Sequence, residues 1–401
     1  MAAAFVAAAL APTAAVRAET FTFAVASDSR GKGPSGVNDK ILGTILARVE
    51  AAGADLMLFP GDLINGSADL KQHRHQLGAF KRLVKRHLKR TRFHGIMGNH
   101  DSGTRAHVKM FARMFPGPKN GPGKYARLTY YLRWKGSLFV VLSTDFFGEL
   151  GLVSDVQLRW LAGVLAKNKS ARHVFVFGHQ PAYPAGRHTG MSLDAYPEQR
   201  DRLWALLRKH RVDAYFCGHE HFYAMKVVDN VYQITVGSAG ARLYKGFGGA
   251  FYHYALVTVE GDRVKVRVFD HKGVRRRGFA FKRRTGHLAR TLSDVEKLSD
   301  ARIVAAIAGG ERGLAWKAAW VAGRRKLRAA IPALVKTGLA KVNWKNHDDA
   351  YFIIHAVRAL RFMRARQGMP LVRALLKKKG STLVQEAQAA MEAILRAPKK
   401  K

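Results

Sequence analysis

A chain of 401 residues, 48% of them hydrophobic, is long enough for two ordinary domains with real cores. With 24% charged residues it is neither disordered nor collagen-like, and its one cysteine excludes an intramolecular disulfide framework or a cysteine-rich zinc module. The balance of 69 Lys+Arg against 28 Asp+Glu, a formal charge of +41, favours polyanionic partners without choosing among phosphorylated substrates, nucleic acid, anionic lipid and polysaccharide.

Ala2 to Val16 is an uncharged stretch of small apolar residues, and Val16-Arg17-Ala18-Glu19 reads as a small-x-small cleavage site. Residues 1–18 are therefore expected to be a signal peptide cut after Ala18, and the protein to be exported, periplasmic or secreted. No basic residue precedes the apolar run. The run is short of the about 20 apolar residues that cross a bilayer. No longer one follows, so the mature chain is expected to have no transmembrane span.

From Thr20 to Asp270, short β-type runs alternate with helical ones. Thr22–Ala26 ends at Ser27-Asp28, Asp55–Phe59 at Pro60-Gly61-Asp62, and Phe93–Met97 at Gly98-Asn99-His100-Asp101. Leu138–Leu142 ends at Ser143-Thr144-Asp145, His173–Phe177 at Gly178-His179, and Asp213–Cys217 at Gly218-His219-Glu220-His221. Near-continuous apolar runs of this length suit strands buried on both faces. Helices are expected over Asp39–Ala52, Leu70–Lys89, Asp155–Lys167 and Glu198–His210, and a hairpin over Tyr254–Val259 and Val264–Phe269. The pattern predicts a layered α/β domain over 19–272.

At Gly273 the strand pattern is expected to stop. Arg275-Arg276-Arg277 and Lys282-Arg283-Arg284 read as a basic linker, 273–291, before an all-α domain over 292–401. Within that domain Ile331-Pro332-Ala333-Leu334-Val335 and Met369-Pro370-Leu371-Val372-Arg373 resemble each other, each followed by an amphipathic run, Ala350–Phe362 and Leu383–Leu395. Paired helices at that spacing look like HEAT repeats, with a plain helical bundle as the alternative.

The polar residues at the strand ends are Asp28, Asp62, Asn99, His100, His179, His219 and His221. Carboxylates, an amide oxygen and imidazoles are the donors that a pair of divalent transition metals takes. Singly, each block reads as an ordinary turn. In this order, each after a strand-like run, they predict a metal site at one edge of a sheet.

These blocks resemble the calcineurin-like metallophosphoesterases, with Gly-Asp, Gly-Asn-His-Asp, Gly-His and Gly-His-x-His in the family's order over about 250 residues. Leu152–Leu161, with Gln157 and Trp160, resembles the helix after the family's central strand. The resemblance implies a four-layer α-β-β-α sandwich around two divalent metal ions (Mn, Fe or Zn). By position, Asp62 would bridge the metals, Asp28 and His221 would hold the first, and Asn99, His179 and His219 the second. It implies a phosphoesterase that hydrolyses phosphomonoesters or phosphodiesters by attack of a metal-bridging hydroxide, with His100 as general acid oriented by Asp101. Two departures stand out. The family's Asp-x-His is here Asp28-Ser29-Arg30, and a guanidinium has no lone pair for a metal. Arg30 would either grip the substrate phosphate or pair with a nearby carboxylate. Asn65 stands where plant-type purple acid phosphatases place a tyrosine.

Asn65, Asn99, Tyr183 and His188 are candidates for substrate preference, the last two in a loop, Gln180–Tyr196, long enough to overhang the metals; Tyr223 and Tyr244 read as packing residues and Cys217 as a buried hydrophobe. Two rival functions share these residues. One is a binding protein with a degenerate site that docks on polyanions or a protein partner through its basic helical tail. The other is a nuclease, drawing on the same metals and the positive charge.

Overall fold

A computed structural model describes residues 20–244, 250–282, 295–309, 312–340, 347–377 and 381–396. The expected signal peptide and the basic residues 283–284, 378–379 and 399–401 lie outside the described residues.

Two six-stranded sheets stack face to face. The first has the order β14-β13-β12-β1-β2-β3, where β1 is Phe21–Val25, β2 Leu56–Pro60, β3 Arg92–Ile96, β12 His253–Glu260, β13 Arg263–Asp270 and β14 Arg275–Lys282. The second has the order β10-β11-β9-β8-β5-β4, where β4 is Tyr130–Trp134, β5 Ser137–Val141, β8 Val174–Phe177, β9 Ala214–Cys217, β10 Tyr223–Val228 and β11 Val231–Val236. A separate ribbon pairs β6 (Asp145–Phe146) with β7 (Glu149–Leu150). β1, β2 and β3 run parallel, as do β5, β8, β9 and β11.

Strand periodicity assigns each side chain to a layer. Phe23 and Val25, Phe139 and Val141, and Phe175 and Phe177 point between the sheets. Ala24 and Ala26 point to the outer face of the first sheet, and Val140, Leu142, Val174 and Val176 to that of the second. The inner layer is aromatic: Phe23 meets Phe139 edge-on at 5.1 Å, and Phe177 stacks on Phe216 at 5.3 Å. Helices α1 (Asp39–Ala51), α2 (Leu70–His87) and α3 (Arg105–Met114) cover the first sheet. Helices α4 (Asp155–Lys167) and α5 (Pro197–Lys209) cover the second, which completes an α-β-β-α sandwich.

The strand pattern does not stop at Gly273. β14 pairs antiparallel with β13 across the arginine run that was read as a linker. The run hid the strand because only Phe279 and Phe281 turn inward, onto Tyr232, while the basic residues face water.

The C-terminal region is helical: α6 (Asp300–Ala308), α7 (Arg312–Arg324), α8 (Ile331–Leu339), α9 (His347–Phe362), α10 (Met369–Leu376) and α11 (Ser381–Leu395). Pro332 and Pro370 stand in the first turns of α8 and α10, where a missing N–H costs nothing. Two residues beyond the ends of α7 and α9 the chain turns at a left-handed basic residue, Lys326 (φ 50°) and Arg364 (φ 48°). Trp316, Tyr351 and Ile353 share one apolar cluster with Tyr183, Trp204 and Val176. The helical region is thus built onto the outer layer of the second sheet. Among the described residues no helix is long and apolar enough to cross a membrane.

Candidate metal centre

The ends of β1, β2, β8 and β9, with the turn after β3, bring the expected ligands to one edge of the sandwich. Three of them sit in left-handed turns that non-glycine residues rarely adopt: Asp28 (φ 61°), Asp62 (φ 52°) and His219 (φ 67°). Such conformations cost of order 1–3 kcal/mol each and persist where surrounding structure enforces them. Here the enforcement is a backbone lattice: Asp28 N–H donates to the Gly61 carbonyl at 3.1 Å, Ser29 N–H to Asp62 at 3.0 Å, and Ala241 N–H to Asp28 at 2.8 Å. Gly61 (φ +90°) admits no side chain, because a Cβ there would lie 2.3 Å from His179 Nδ1.

Asp62, Asn99, His179 and His219 converge. Asn99 Oδ1 lies 3.0 Å from His179 Nε2 and 3.1 Å from His219 Nδ1, and His179 Nε2 lies 3.3 Å from Asp62 Oδ1. His179 donates its Nδ1 proton to the Pro60 carbonyl at 2.8 Å, which turns Nε2 into the cluster. Burial alone would raise the Asp62 carboxyl, but His179, His100 and Arg30 outweigh it and hold the group below its usual value. Burial likewise works against a charged His179, yet Asp62, Asp145 and Asp28 lift it to about 9. Burial and neighbouring positive charge push His219 well below its usual value, which leaves it a neutral imidazole. Carboxylate, amide oxygen and imidazole are the donor types that a divalent ion takes, and a bound ion would displace the proton from His179 Nε2.

The other half of the centre differs. Asp28 Oδ1 lies 3.4 Å from His221 Nε2 and, although buried, accepts no hydrogen bond; Oδ2 is taken by Ser27 Oγ and the His219 N–H. Among the described residues, one donor atom each from Asp28, Asp62 and His179 falls within 4.8 Å of the others, a buried group that could hold a metal ion and that joins both halves in one polar cavity. Arg30 enters that cavity. Its Nε lies 3.3 Å from Asp62 Oδ2, its Nη2 3.0 Å from His221 Nε2, and its Nη1 bonds His100 Nε2. Of the two roles open to it, pairing with a carboxylate is the one the structure realises. The guanidinium thus lies within reach of Asp62 and His221, two of the donors expected for the first metal.

His100 is where the blocks predict, with Nε2 toward the cleft and Nδ1 2.8 Å from the Asn65 carbonyl. Asp101 does not orient that ring. Its Oδ2 accepts from the N–H groups of Gly98 (2.9 Å) and Leu63 (3.3 Å), because the Asn99–Asp101 turn folds the side chain back under the loop. Asn65 contributes its carbonyl while its side chain faces solvent. His188 reaches the site, its ring 4.1 Å from that of His219. Tyr183 does not: it is buried against Trp204 and Trp316, because the loop dips into the core there. Tyr244, expected to be packing, lies instead over His221 at 4.2 Å, nearly parallel; no motif marks it. Glu220 was also missed. It accepts from the N–H groups of Ala185 and Gly186, both at 2.6 Å, and so ties the 180–196 loop to the ligand turn. Its place between His219 and His221 was the available signal. Cys217 and Tyr223 are buried as expected.

The family profile described as calcineurin-like phosphoesterase matches residues 21–223. Tartrate-resistant acid phosphatase type 5 from Sus scrofa is 27% identical over 200 residues, which take in 44% of this chain and 56% of that protein. The chain thus spans little more than half of that relative's length. Among solved structures, the fold is similar to a purple acid phosphatase from yellow lupin (Lupinus luteus) seeds, with a TM-score of 0.55 and 16% identity, covering 67% of this chain and 55% of that one. A dimetal phosphatase from Danio rerio aligns over 66% of this chain and 99% of its own, with 14% identity and a TM-score of 0.48.

Proposed function

This chain belongs to the calcineurin-like phosphoesterase family, and from that premise we propose that it is a metal-dependent hydrolase of phosphate esters. The observation that carries the reading is the run of close contacts that joins Asp62, His179, Asn99 and His219, at 3.3, 3.0 and 3.1 Å in turn, with one donor atom each of Asp28, Asp62 and His179 within 4.8 Å of the others. The family implies a dinuclear divalent centre, and the four residues would hold one ion of it. A bound divalent ion polarises phosphoryl oxygens and makes water a better nucleophile near neutral pH.

The chain's own residues supply the rest. Asp62 and Asp28 provide buried negative charge that retains cations. His100 keeps its Nδ1 proton on the Asn65 carbonyl; protonated at Nε2 as well, it would deliver that proton to the leaving-group oxygen. Arg30 Nη1 must release His100 Nε2 for this, and a phosphate oxygen is the natural new acceptor. His188 and Tyr244 wall the cleft above His219 and His221 and bear on which leaving group fits.

The reading is tested with manganese and a generic aryl phosphate. Asp62→Ala and Asn99→Ala are each expected to lose at least 100-fold in kcat/KM, an order-of-magnitude figure for ligand loss. Undiminished turnover in both variants would rule it out. A second reading, a binding protein for polyanions, is favoured by Arg30 alone, since its guanidinium sits among the first-site donors. Metal-stimulated turnover in the wild-type chain decides against it.

A further inference from the structure

Two buried carboxylates, Asp28 and Asp62, face each other across the cavity with two imidazoles, His100 and His221. Such a group of acceptors needs positive charge close by, because an ionised carboxylate out of water is costly unless paired. The ring tautomers show which kind of cation suits the first half. His221 Nδ1 lies 2.7 Å from the Arg242 carbonyl and His100 Nδ1 2.8 Å from that of Asn65, so each donates there and presents a bare Nε2 lone pair. Both lone pairs point at the Arg30 guanidinium, which has only donors to offer.

The position of Arg30 is set by its backbone. It forms a bridge with Val37, closed by Gly31 N–H to the Gly36 carbonyl (3.0 Å) and Asn38 N–H to that of Ser29 (2.8 Å). Its side chain is 17% exposed and runs inward from that bridge to Asp62. A rigid cation so held repels a second, divalent one among the same donors, and His221 Nε2 cannot accept from Nη2 and ligate a metal with the same lone pair.

We propose that the Arg30 guanidinium is the resident cation of the first position, so that the folded protein takes a single divalent ion, on Asp62, Asn99, His179 and His219. This rests on the phosphoesterase reading and alters the expected pair of metals to one metal plus one guanidinium. The guanidinium supplies fixed charge and hydrogen-bond donors toward a phosphate, while water activation falls to the one ion.

The test is metal stoichiometry. Metal-stripped full-length protein is dialysed against manganese and its content measured by mass spectrometry, with electron paramagnetic resonance to tell isolated from spin-coupled ions. We expect one isolated ion per chain in the wild type and in Arg30→Lys, and two coupled ions in Arg30→Gly and in Arg30→His, which adds an imidazole donor. Circular dichroism identifies a variant that has not folded; if Arg30→Gly fails, the comparison of Arg30→His with Arg30→Lys carries the test. Two ions in the wild type would overturn the proposal and leave the phosphoesterase reading intact. No ion in any folded variant would overturn both.

Discussion

Asp101 is fully buried, and its Oδ2 holds the N–H groups of Gly98 and Leu63, one on each of the turns that carry Asn99 and Asp62. It acts through the backbone, as a clamp between two ligand turns. Removing it orphans two buried donors, each costing about 1–3 kcal/mol. Asp101→Ala is therefore expected to lose about 2–4 kcal/mol of stability by urea titration and to weaken manganese binding. Asp101→Asn, which keeps an acceptor oxygen, should recover most of both. A stability unchanged in Asp101→Ala would refute the clamp. The identity of such residues was legible in the sequence because Gly-Asn-His-Asp is a local block. Their partners were not: Asp101 to Leu63, Arg30 to His221 and Tyr244 to His221 are contacts between segments far apart in the chain, set by how tightly the turns fold.

At the scale of elements, Glu50 near the end of α1 closes the layer of helices onto the first sheet. Its carboxylate accepts from the N–H groups of Arg90 (3.0 Å) and Thr91 (3.2 Å), just before β3 begins at Arg92. Burial tends to raise its pKa, but the donors from Thr91 and Arg90 prevail and lower it from an ordinary 4.5 to about 2. A carboxyl with a depressed folded-state value stabilises the fold above its unfolded value and loses that contribution as pH falls toward the folded one. The stability gap between wild type and Glu50→Gln should be full above pH 4.5 and close between pH 4.5 and about 2. Urea titrations at several pH values measure it, and a gap that stays constant through that window would contradict the assignment. Elements with apolar runs, such as β5 and β8, were plain in the sequence because both faces are buried. β14 was not, since an edge strand with one partner needs only two inward aromatics and tolerates an arginine run that reads as a linker.

The whole molecule raises the question of whether the helical region is a passenger or part of the fold. Tyr183 meets Trp204 at 4.9 Å and Trp316 at 5.8 Å, and Trp316 meets Tyr351 at 5.7 Å, so one aromatic chain runs from the loop after β8 through α5 into α7 and α9. Lys226 of β10 lies 3.4 Å over the Tyr351 ring, and Arg358 of α9 comes within 2.6 Å of where a Cβ on Gly190 would stand. The loop braced this way is the one that carries His188 over His219. A sequence shift from strands to helices, read as a domain boundary, does not reveal a shared core, because the apolar faces of α5 and α7 look the same whether they meet each other or close separate units. Trp316→Ala opens a cavity in that shared core and is expected to cost about 3–5 kcal/mol. With a common core, circular dichroism and tryptophan fluorescence should report the same single unfolding transition in the wild type, and the variant should shift it as a whole. Two separate transitions, with only the second moved by Trp316→Ala, would show that the helices fold on their own and that the His188 loop does not depend on them.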